Sequence, residues 1–134
     1  RSYKKFVLPY EQRIIQAIHS QGAKARLHIC GNISSLLKIL PETEADIIDI
    51  DYPVDFESAV EALRPTIAAN GNFEPSRILL QGTVDDVIDA VKGCVAVSDA
   101  NTFIAAGCEV PRDTPPENLR AVSKTLWDLS PNKK

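Results

Sequence analysis

Two places in the sequence carry side chains that bind soft metal ions. His28 and Cys30 are separated by one residue, and Cys108 lies far downstream. Imidazole nitrogen and thiolate sulfur are preferred ligands of zinc, and three protein ligands with one open position are the arrangement of catalytic zinc. A thiol that enters the open position is held as a thiolate, which is a nucleophile at neutral pH. The three residues therefore predict a catalytic zinc site.

The same cysteines have a simpler interpretation as packing residues. Free cysteine is among the most buried residue types, and a separated His-x-Cys and Cys form a weaker signature than paired CxxC motifs. Three cysteines are an odd number, so a disulfide framework is a poor explanation. The spacing alone leaves metal binding and burial open for Cys30 and Cys108. Cys94, beside Gly93 within a predicted helix, is expected only to pack.

The apolar pattern predicts alternating strands and helices. Strands are expected at residues 25–30, 45–51, 66–70 and 101–106. Helices are expected at residues 3–20 with an interruption at Pro9, and at 33–40, 56–63, 83–97 and from 114 to 126 or 129. The fourth helix is expected to begin at a Thr83 cap, and the last at a capping box of Thr114 and Glu117. Four such units joined by short loops favour βαβ connections and a parallel sheet.

The number of units indicates part of a barrel. A complete (β/α)8 barrel takes about 250 residues, so four units in 134 residues predict an α/β fold that is half of a TIM barrel. The strands then need partners, either an N-terminal half-barrel or a second copy of this chain. The chain begins at Arg1 and contains no Met, so we expect a piece of a longer protein. A doubly wound sheet is less favoured, because residues 30–34 lack the G-x-G-x-x-G spacing of dinucleotide-binding turns.

Barrel topology also predicts where the functional residues meet. Active sites of parallel barrels lie at the C-terminal ends of the strands. His28 and Cys30 project from one face at the end of the first strand, and Cys108 follows the fourth strand by two residues, so all three are expected to converge. Asp51 and Asn70 lie at the ends of the second and third strands and are predicted to bind substrate. Loop capping is an equally simple role for both side chains.

Composition excludes several classes of partner. Fifteen Lys and Arg residues against 18 Asp and Glu residues give a net charge of −3, and neither sign forms a block or a stripe. Nucleic acid is therefore not an expected partner. No apolar run approaches the roughly 18 residues that span a bilayer, and no signal peptide is recognisable at the start. We expect a cytoplasmic protein that does not bind membranes.

Three stretches of the sequence resemble a known superfamily. They are LHICGN at residues 27–32, NGNFEP at 70–75, and GCEVP at 107–111 leading into DTPPENLR at 113–120. Their order and spacing resemble the C-terminal half of uroporphyrinogen decarboxylase-like proteins. The resemblance extends from about Phe6 to Leu126, and it implies that residues 1–134 form one domain, the C-terminal half of a TIM barrel.

Within that superfamily, the His-x-Cys pair with a later Cys is similar to the methylcobamide:coenzyme M methyltransferases. The resemblance implies that His28, Cys30 and Cys108 are zinc ligands. It also implies methyl transfer from a corrinoid, held by a separate carrier protein, to a small thiol substrate. Two alternatives are metal-free decarboxylation of a porphyrinogen and a non-catalytic half-barrel that binds a ligand or dimerises. Because the N-terminal half of the family's barrel is absent from this sequence, the chain is not expected to be active alone.

Overall fold

Four parallel strands form one sheet, and the chain visits them in order. In the computed structural model, which describes residues 2–130, they are β1 (Arg26–Ile29), β2 (Ile47–Ile50), β3 (Ala68–Phe73) and β4 (Thr102–Ala106). Each strand pairs with the next in the order β1-β2-β3-β4. A doubly wound sheet reverses its strand order at a switch point, whereas consecutive parallel strands form the wall of a barrel. The predicted fold class is confirmed.

Five helices accompany the strands, at α1 (Ser2–Phe6), α2 (Leu8–Ser20), α3 (Phe56–Leu63), α4 (Val84–Ala96) and α5 (Pro116–Leu129). The predicted interruption of the first helix is found at Val7, and Pro9 lies in the first turn of α2, where a missing N–H costs nothing. The predicted Thr83 cap is present as a full capping box with Asp86. In the described part of the chain, no helix combines the length and the hydropathy needed to cross a membrane.

The hydrophobic core lies on one face of the sheet. Ile48 and Ile50 of β2 are fully buried there and belong to the same cluster as Leu63 of α3 and Val87 and Val91 of α4. Burial of a large aliphatic side chain contributes about 1.5–3 kcal/mol. These contacts fix the helices against the sheet, and in the described part of the chain no helical layer covers the opposite face.

That opposite face, which we call the open face, carries a different set of side chains. Strand alternation and the strand register place on it the polar residues Arg26, His28, Asp49 and Asn70 and the apolar residues Ile47, Ala68, Phe103 and Ala105. Phe103 is 54% exposed although it lies within β4. The open face therefore combines a group of neighbouring polar side chains with apolar ones.

The prediction of a helix at residues 33–40 is wrong. Two 3₁₀ turns, Ser34–Leu36 and Leu40–Thr43, occupy this connection. The backbone bonds of this segment join residues three apart, as from the Leu36 N–H to Ile33 and from the Ile39 N–H to Leu36, and Pro41 has no N–H with which an α-helix could extend past Leu40. The apolar side chains of Ile33, Leu37 and Leu40 are nevertheless buried.

Two further boundaries differ from prediction. The third strand continues past Asn70 to Phe73, because residues 71–73 pair with residues 104–106 of β4. The capping box at Thr114 is absent: Pro115 is the N-cap residue of α5, and the buried Thr114 Oγ1 has no hydrogen-bond partner among residues 2–130. The two prolines place the first helical turn one residue too far along the chain for Thr114 to cap it.

Asp46 connects the beginning of β1 to the beginning of β2 through hydrogen bonds. Its Oδ1 accepts a hydrogen bond from Lys24 Nζ at 2.6 Å. Its Oδ2 accepts one from the Ala25 backbone N–H at 2.8 Å and lies 2.7 Å from His19 Nε2. These bonds, first that of Lys24 and then that of Ala25, hold the pKa of the Asp46 carboxyl well below its usual range.

Asp46→Asn is expected to lower the free energy of unfolding at pH 7. Because the folded-state pKa is lowered, the stabilisation by Asp46 is fully present above the unfolded-state pKa of about 3.9 and is lost as the pH falls further. Urea unfolding at pH 7, 5 and 3 should therefore show a difference between the two proteins that shrinks on acidification. Asp89→Asn, on an exposed position of α4, serves as the control, and a difference independent of pH would contradict the assignment.

Candidate metal centre

The side chains of His28, Cys30 and Cys108 meet at the C-terminal end of the sheet. His28 Nε2 lies 3.2 Å from Cys30 Sγ and 3.8 Å from Cys108 Sγ, and the two sulfur atoms are 4.0 Å apart. The three ligand atoms thus form a nearly equilateral triangle. The His28 side chain is 29% exposed, Cys30 is exposed and Cys108 is half-buried, so the triangle can be reached from solvent.

Curvature of the sheet makes this meeting possible. β1 and β4 are the two outer strands, and three strand intervals would separate them by about 14 Å in a flat sheet. Side chains on one face of a flat sheet also run parallel to one another, so they would not converge across that gap. The 4.0 Å separation of the sulfur atoms is therefore reached by the loop residues that follow β1 and β4, together with the curvature expected of a barrel wall.

The triangle fits a zinc ion. Zinc bonds of about 2.3 Å to sulfur and about 2.0–2.1 Å to nitrogen, in tetrahedral geometry, place two sulfur ligands about 3.8 Å apart and a nitrogen about 3.6 Å from each sulfur. The distances given above differ from these by about 0.4 Å or less. One imidazole and two thiolates are also a donor set that selects zinc over harder cations.

The loop after β1 is shaped by Gly31 and Asp51. Gly31 has a φ of 84°, a left-handed conformation that side chains rarely adopt. Its N–H donates to Asp51 Oδ2 at 2.6 Å, while Asp51 Oδ1 accepts from the Tyr52 N–H at 2.7 Å. Both carboxylate oxygens of Asp51 therefore hold backbone, and one of them fixes the residue that follows Cys30.

Gly107 sets the approach of Cys108. A Cβ atom on Gly107 would lie 2.4 Å from the Tyr52 backbone nitrogen and 3.1 Å from the Asn72 carbonyl oxygen. The Gly107 N–H also donates to the carbonyl of Phe73 at 2.9 Å. The chain after β4 therefore lies directly against the ends of β2 and β3, which carries Cys108 inward toward Cys30.

The ring of His28 is oriented by its neighbour on β2. His28 Nδ1 lies 3.2 Å from both the backbone oxygen and the carboxylate Oδ2 of Asp49. Both oxygens can only accept, so a hydrogen bond here requires the proton on Nδ1 and leaves the Nε2 lone pair free toward the two sulfur atoms. Neither Asp49 nor Gly107 was among the residues predicted to form the site. The signal for Asp49 was a polar residue that alternates with isoleucines in a buried strand.

The two residues predicted to bind substrate have structural partners. Asp51 is 5% exposed and caps the backbone as described, and Asn70, also 5% exposed, donates from Nδ2 to Asp49 Oδ1. Asn70 lies within β3 rather than at its end. Substrate binding by either residue stays a prediction, while their contacts give both a role in holding the site.

The neighbouring thiol of Cys108 affects the ionisation of Cys30. The pKa of the Cys30 thiol is raised, first by a hydrogen bond with Cys108, then by repulsion from a charge on Cys108, with smaller effects of burial and of Asp51. A cation between the sulfur atoms would oppose this effect, because metal ligation requires thiolates.

Cys94 is 8% exposed within the core, and burial raises the pKa of its thiol, in agreement with the predicted packing role.

Comparison with known proteins gives one consistent family. The uroporphyrinogen decarboxylase (URO-D) family model matches residues 1–128. A methylcobamide:CoM methyltransferase of Methanosarcina acetivorans is 34% identical over 118 residues, which cover 88% of this chain and 34% of the relative. A uroporphyrinogen decarboxylase of Trichodesmium erythraeum is 26% identical over 97% of this chain and 37% of the relative. The chain therefore spans about a third of the length of the curated relatives it matches.

A solved structure supports the fold. A methyltransferase from Methanosarcina mazei superposes with a TM-score of 0.83 over 92% of this chain and 36% of that protein, at 22% sequence identity. At this identity the likeness shows the fold alone. It agrees with the four consecutive parallel strands and with the bend of the sheet toward its open face.

Gly107→Ala is expected to disturb the triangle. The added methyl group meets backbone atoms that cannot rotate away, so we expect a loss of about 1–3 kcal/mol in unfolding free energy and at least tenfold weaker zinc binding. Thermal unfolding and competition with a chromophoric chelator would measure the two effects. Gly93→Ala in α4 is the matched control, because nothing lies within 4 Å of its added Cβ and stability should stay equal or rise by up to ~1 kcal/mol. Equal zinc affinity in both variants would contradict the role of Gly107.

Proposed function

The chain belongs to the uroporphyrinogen decarboxylase family, and we propose that it is the metal-binding, C-terminal part of a zinc-dependent methyltransferase. In this proposal a methyl group passes from a corrinoid, carried by a separate protein, to a small thiol substrate. The observation that carries the proposal is the triangle of His28, Cys30 and Cys108, whose dimensions match a tetrahedral zinc site. The 34% identical relative is named as a methylcobamide:CoM methyltransferase, which supports the same reaction class.

The residues of this chain would bind the zinc and keep one side of it accessible. When bound, zinc would lower the pKa of a coordinated thiol and hold it as a thiolate. The three candidate ligands approach from the sheet end, and no helix among residues 2–130 lies over the open face in front of them to exclude a small substrate. Curvature and the Asp51 cap hold the ligands in place, so little reorganisation is needed when the metal and the thiol bind.

A metal-free decarboxylase is the second candidate, favoured by the 26% identical relatives of that name, which align along nearly the whole chain. Decarboxylation of a porphyrinogen requires no soft metal ligands. The presence or absence of a stoichiometric metal therefore separates the two candidates before any activity is measured.

Zinc content of the purified chain tests the proposal. Protein prepared under reducing conditions and dialysed is expected to hold one zinc ion per chain, and Cys30→Ser or Cys108→Ser should weaken zinc binding at least 100-fold, because each removes a thiolate ligand. Cys94→Ala is the control and should retain the metal, since Cys94 only packs in the core. A wild-type chain without zinc, or serine variants that bind it normally, would refute the proposal and favour the decarboxylase.

We propose further that an N-terminal half-barrel covers the surfaces this chain leaves open. Each outer strand has one neighbour among the described residues, and α2 presents Tyr10 and Ile14, 60% and 63% exposed, at a groove of about 700 Å³. Apolar surface of this kind usually belongs to an interface. The length of the relatives, about three times that of the aligned region, supports a covering half-barrel as the occupant.

Light scattering after size-exclusion chromatography tests whether the groove at α2 belongs to an interface. The chain alone is expected to form aggregates of no fixed size rather than a defined dimer, and Ile14→Glu should reduce this aggregation by placing a charge in the groove. Trp127→Glu on α5, where the side chain is 64% exposed, is the matched control and should leave association unchanged. A defined dimer that Ile14→Glu dissociates would identify a second copy as the occupant in place of the half-barrel. A stable monomer that the substitution does not affect would argue against an interface on α2.

A further inference from the structure

We propose that Asp49 is the positioning residue of the metal centre. In this role it orients the His28 ring, while Arg26 and Asn70 hold the Asp49 carboxylate in place. The inference rests on the proposed function, because it concerns how a zinc ligand is presented. It adds a residue on β2, outside the three ligands, on which the affinity of the site depends.

The contact between Asp49 and His28 is direct and comes from the strand register. His28 of β1 is paired with Asp49 of β2, so both side chains emerge from the open face side by side. His28 Nδ1 lies 3.2 Å from two acceptors of Asp49, the backbone oxygen and Oδ2. The far nitrogen of the ring then points to Cys30, 3.2 Å away. Because Asp49 holds the ring at Nδ1, His28 would present Nε2 to a metal ion in one orientation and one tautomer.

The Asp49 carboxylate is itself held on both oxygens. Arg26 donates to Oδ2 at 2.7 Å, and Asn70 donates from Nδ2 to Oδ1. Asp49 is 8% exposed and Asn70 is 5% exposed, whereas the Arg26 side chain is 55% exposed. A carboxylate fixed between two donors on neighbouring strands cannot turn away from the ring. The four residues form one row across β1, β2 and β3.

A contribution to stability alone does not explain why four polar residues are arranged in this row. A buried charge is costly unless it is paired, and well-packed apolar residues often stabilise a protein as much as a buried ion pair. Ile47, two residues before Asp49, shows that β2 also carries an apolar side chain on the open face. The partners of Asp49 instead converge on the one ring that supplies a nitrogen to the triangle. A carboxylate behind a ligating imidazole also increases the basicity of that ligand.

Asp49→Asn tests the proposal through metal affinity. The substitution keeps the shape of the side chain and removes its charge, and zinc affinity is expected to fall 10- to 100-fold in competition with a chromophoric chelator. Cobalt(II) bound in place of zinc should show altered d–d absorption bands, which report the ligand geometry. Arg26→Gln and Asn70→Ala each release one oxygen of the carboxylate, so they should lower the affinity in the same direction by a smaller factor.

The chain offers a matched control in a second Asp–His pair. Asp46 lies 2.7 Å from His19 Nε2 but is placed at the opposite end of the strands from the triangle. Asp46→Asn should therefore leave zinc affinity and the cobalt spectrum unchanged, even where it lowers stability. Affinity equal to wild type in Asp49→Asn, Arg26→Gln and Asn70→Ala would overturn the proposal. If Asp49→Asn does not fold, as judged by circular dichroism, the Arg26 and Asn70 variants decide.

The tautomer of His28 separates failure of this inference from failure of the zinc site. Nitrogen-15 correlation spectra of the histidine rings in the metal-free chain are expected to show His28 with its proton on Nδ1, and His19→Gln assigns the signals because the sequence has two histidines. A His28 protonated mainly on Nε2 would overturn the role of Asp49 even if zinc binds. A chain that binds no zinc but holds His28 as the Nδ1–H tautomer would refute the proposed function and leave the Asp49–His28 contact supported.

Discussion

The bend of the sheet is the constraint on which the rest of the structure depends. Two of the candidate ligands lie at the end of the first strand and the third follows the last, so the curvature of the intervening sheet and the loop after β4 together bring them within reach of one another. The bend needs small residues where backbones meet closely. Gly71, with a Cβ position 2.7 Å from the Ile50 carbonyl oxygen, and Gly107 are two such points. The site is thus a property of the whole sheet rather than of a local motif.

Polar side chains line the concave side of this sheet, where a complete barrel would have its interior. Charged and amide groups are tolerated there because each is paired with another member of the row or with backbone. The apolar core is confined to the helical side. This division separates the apolar core from the polar residues that surround the candidate metal centre.

Much of this architecture was predictable from the sequence, for identifiable reasons. Strand alternation placed His28 and Cys30 on one face, and the rule that parallel strands present their C-terminal ends together placed Cys108 beside them. What could not be predicted depended on contacts between strands. β3 continues beyond Asn70 because β4 supplies partners, and the importance of Asp49 follows from a register that local patterns do not specify.

The separation of the ligands along the chain has a consequence for folding. Cys30 and Cys108 are 78 residues apart, so a cation held by both would close most of the polypeptide into a ring. A cross-link of this length restricts the unfolded ensemble strongly, by several kcal/mol in chain-entropy terms for a covalent bridge. Any ligand that binds only the folded state also shifts the folding equilibrium by mass action. A bound ion would therefore act as a reversible cross-link, and the folded fraction of the protein would rise with the concentration of the metal.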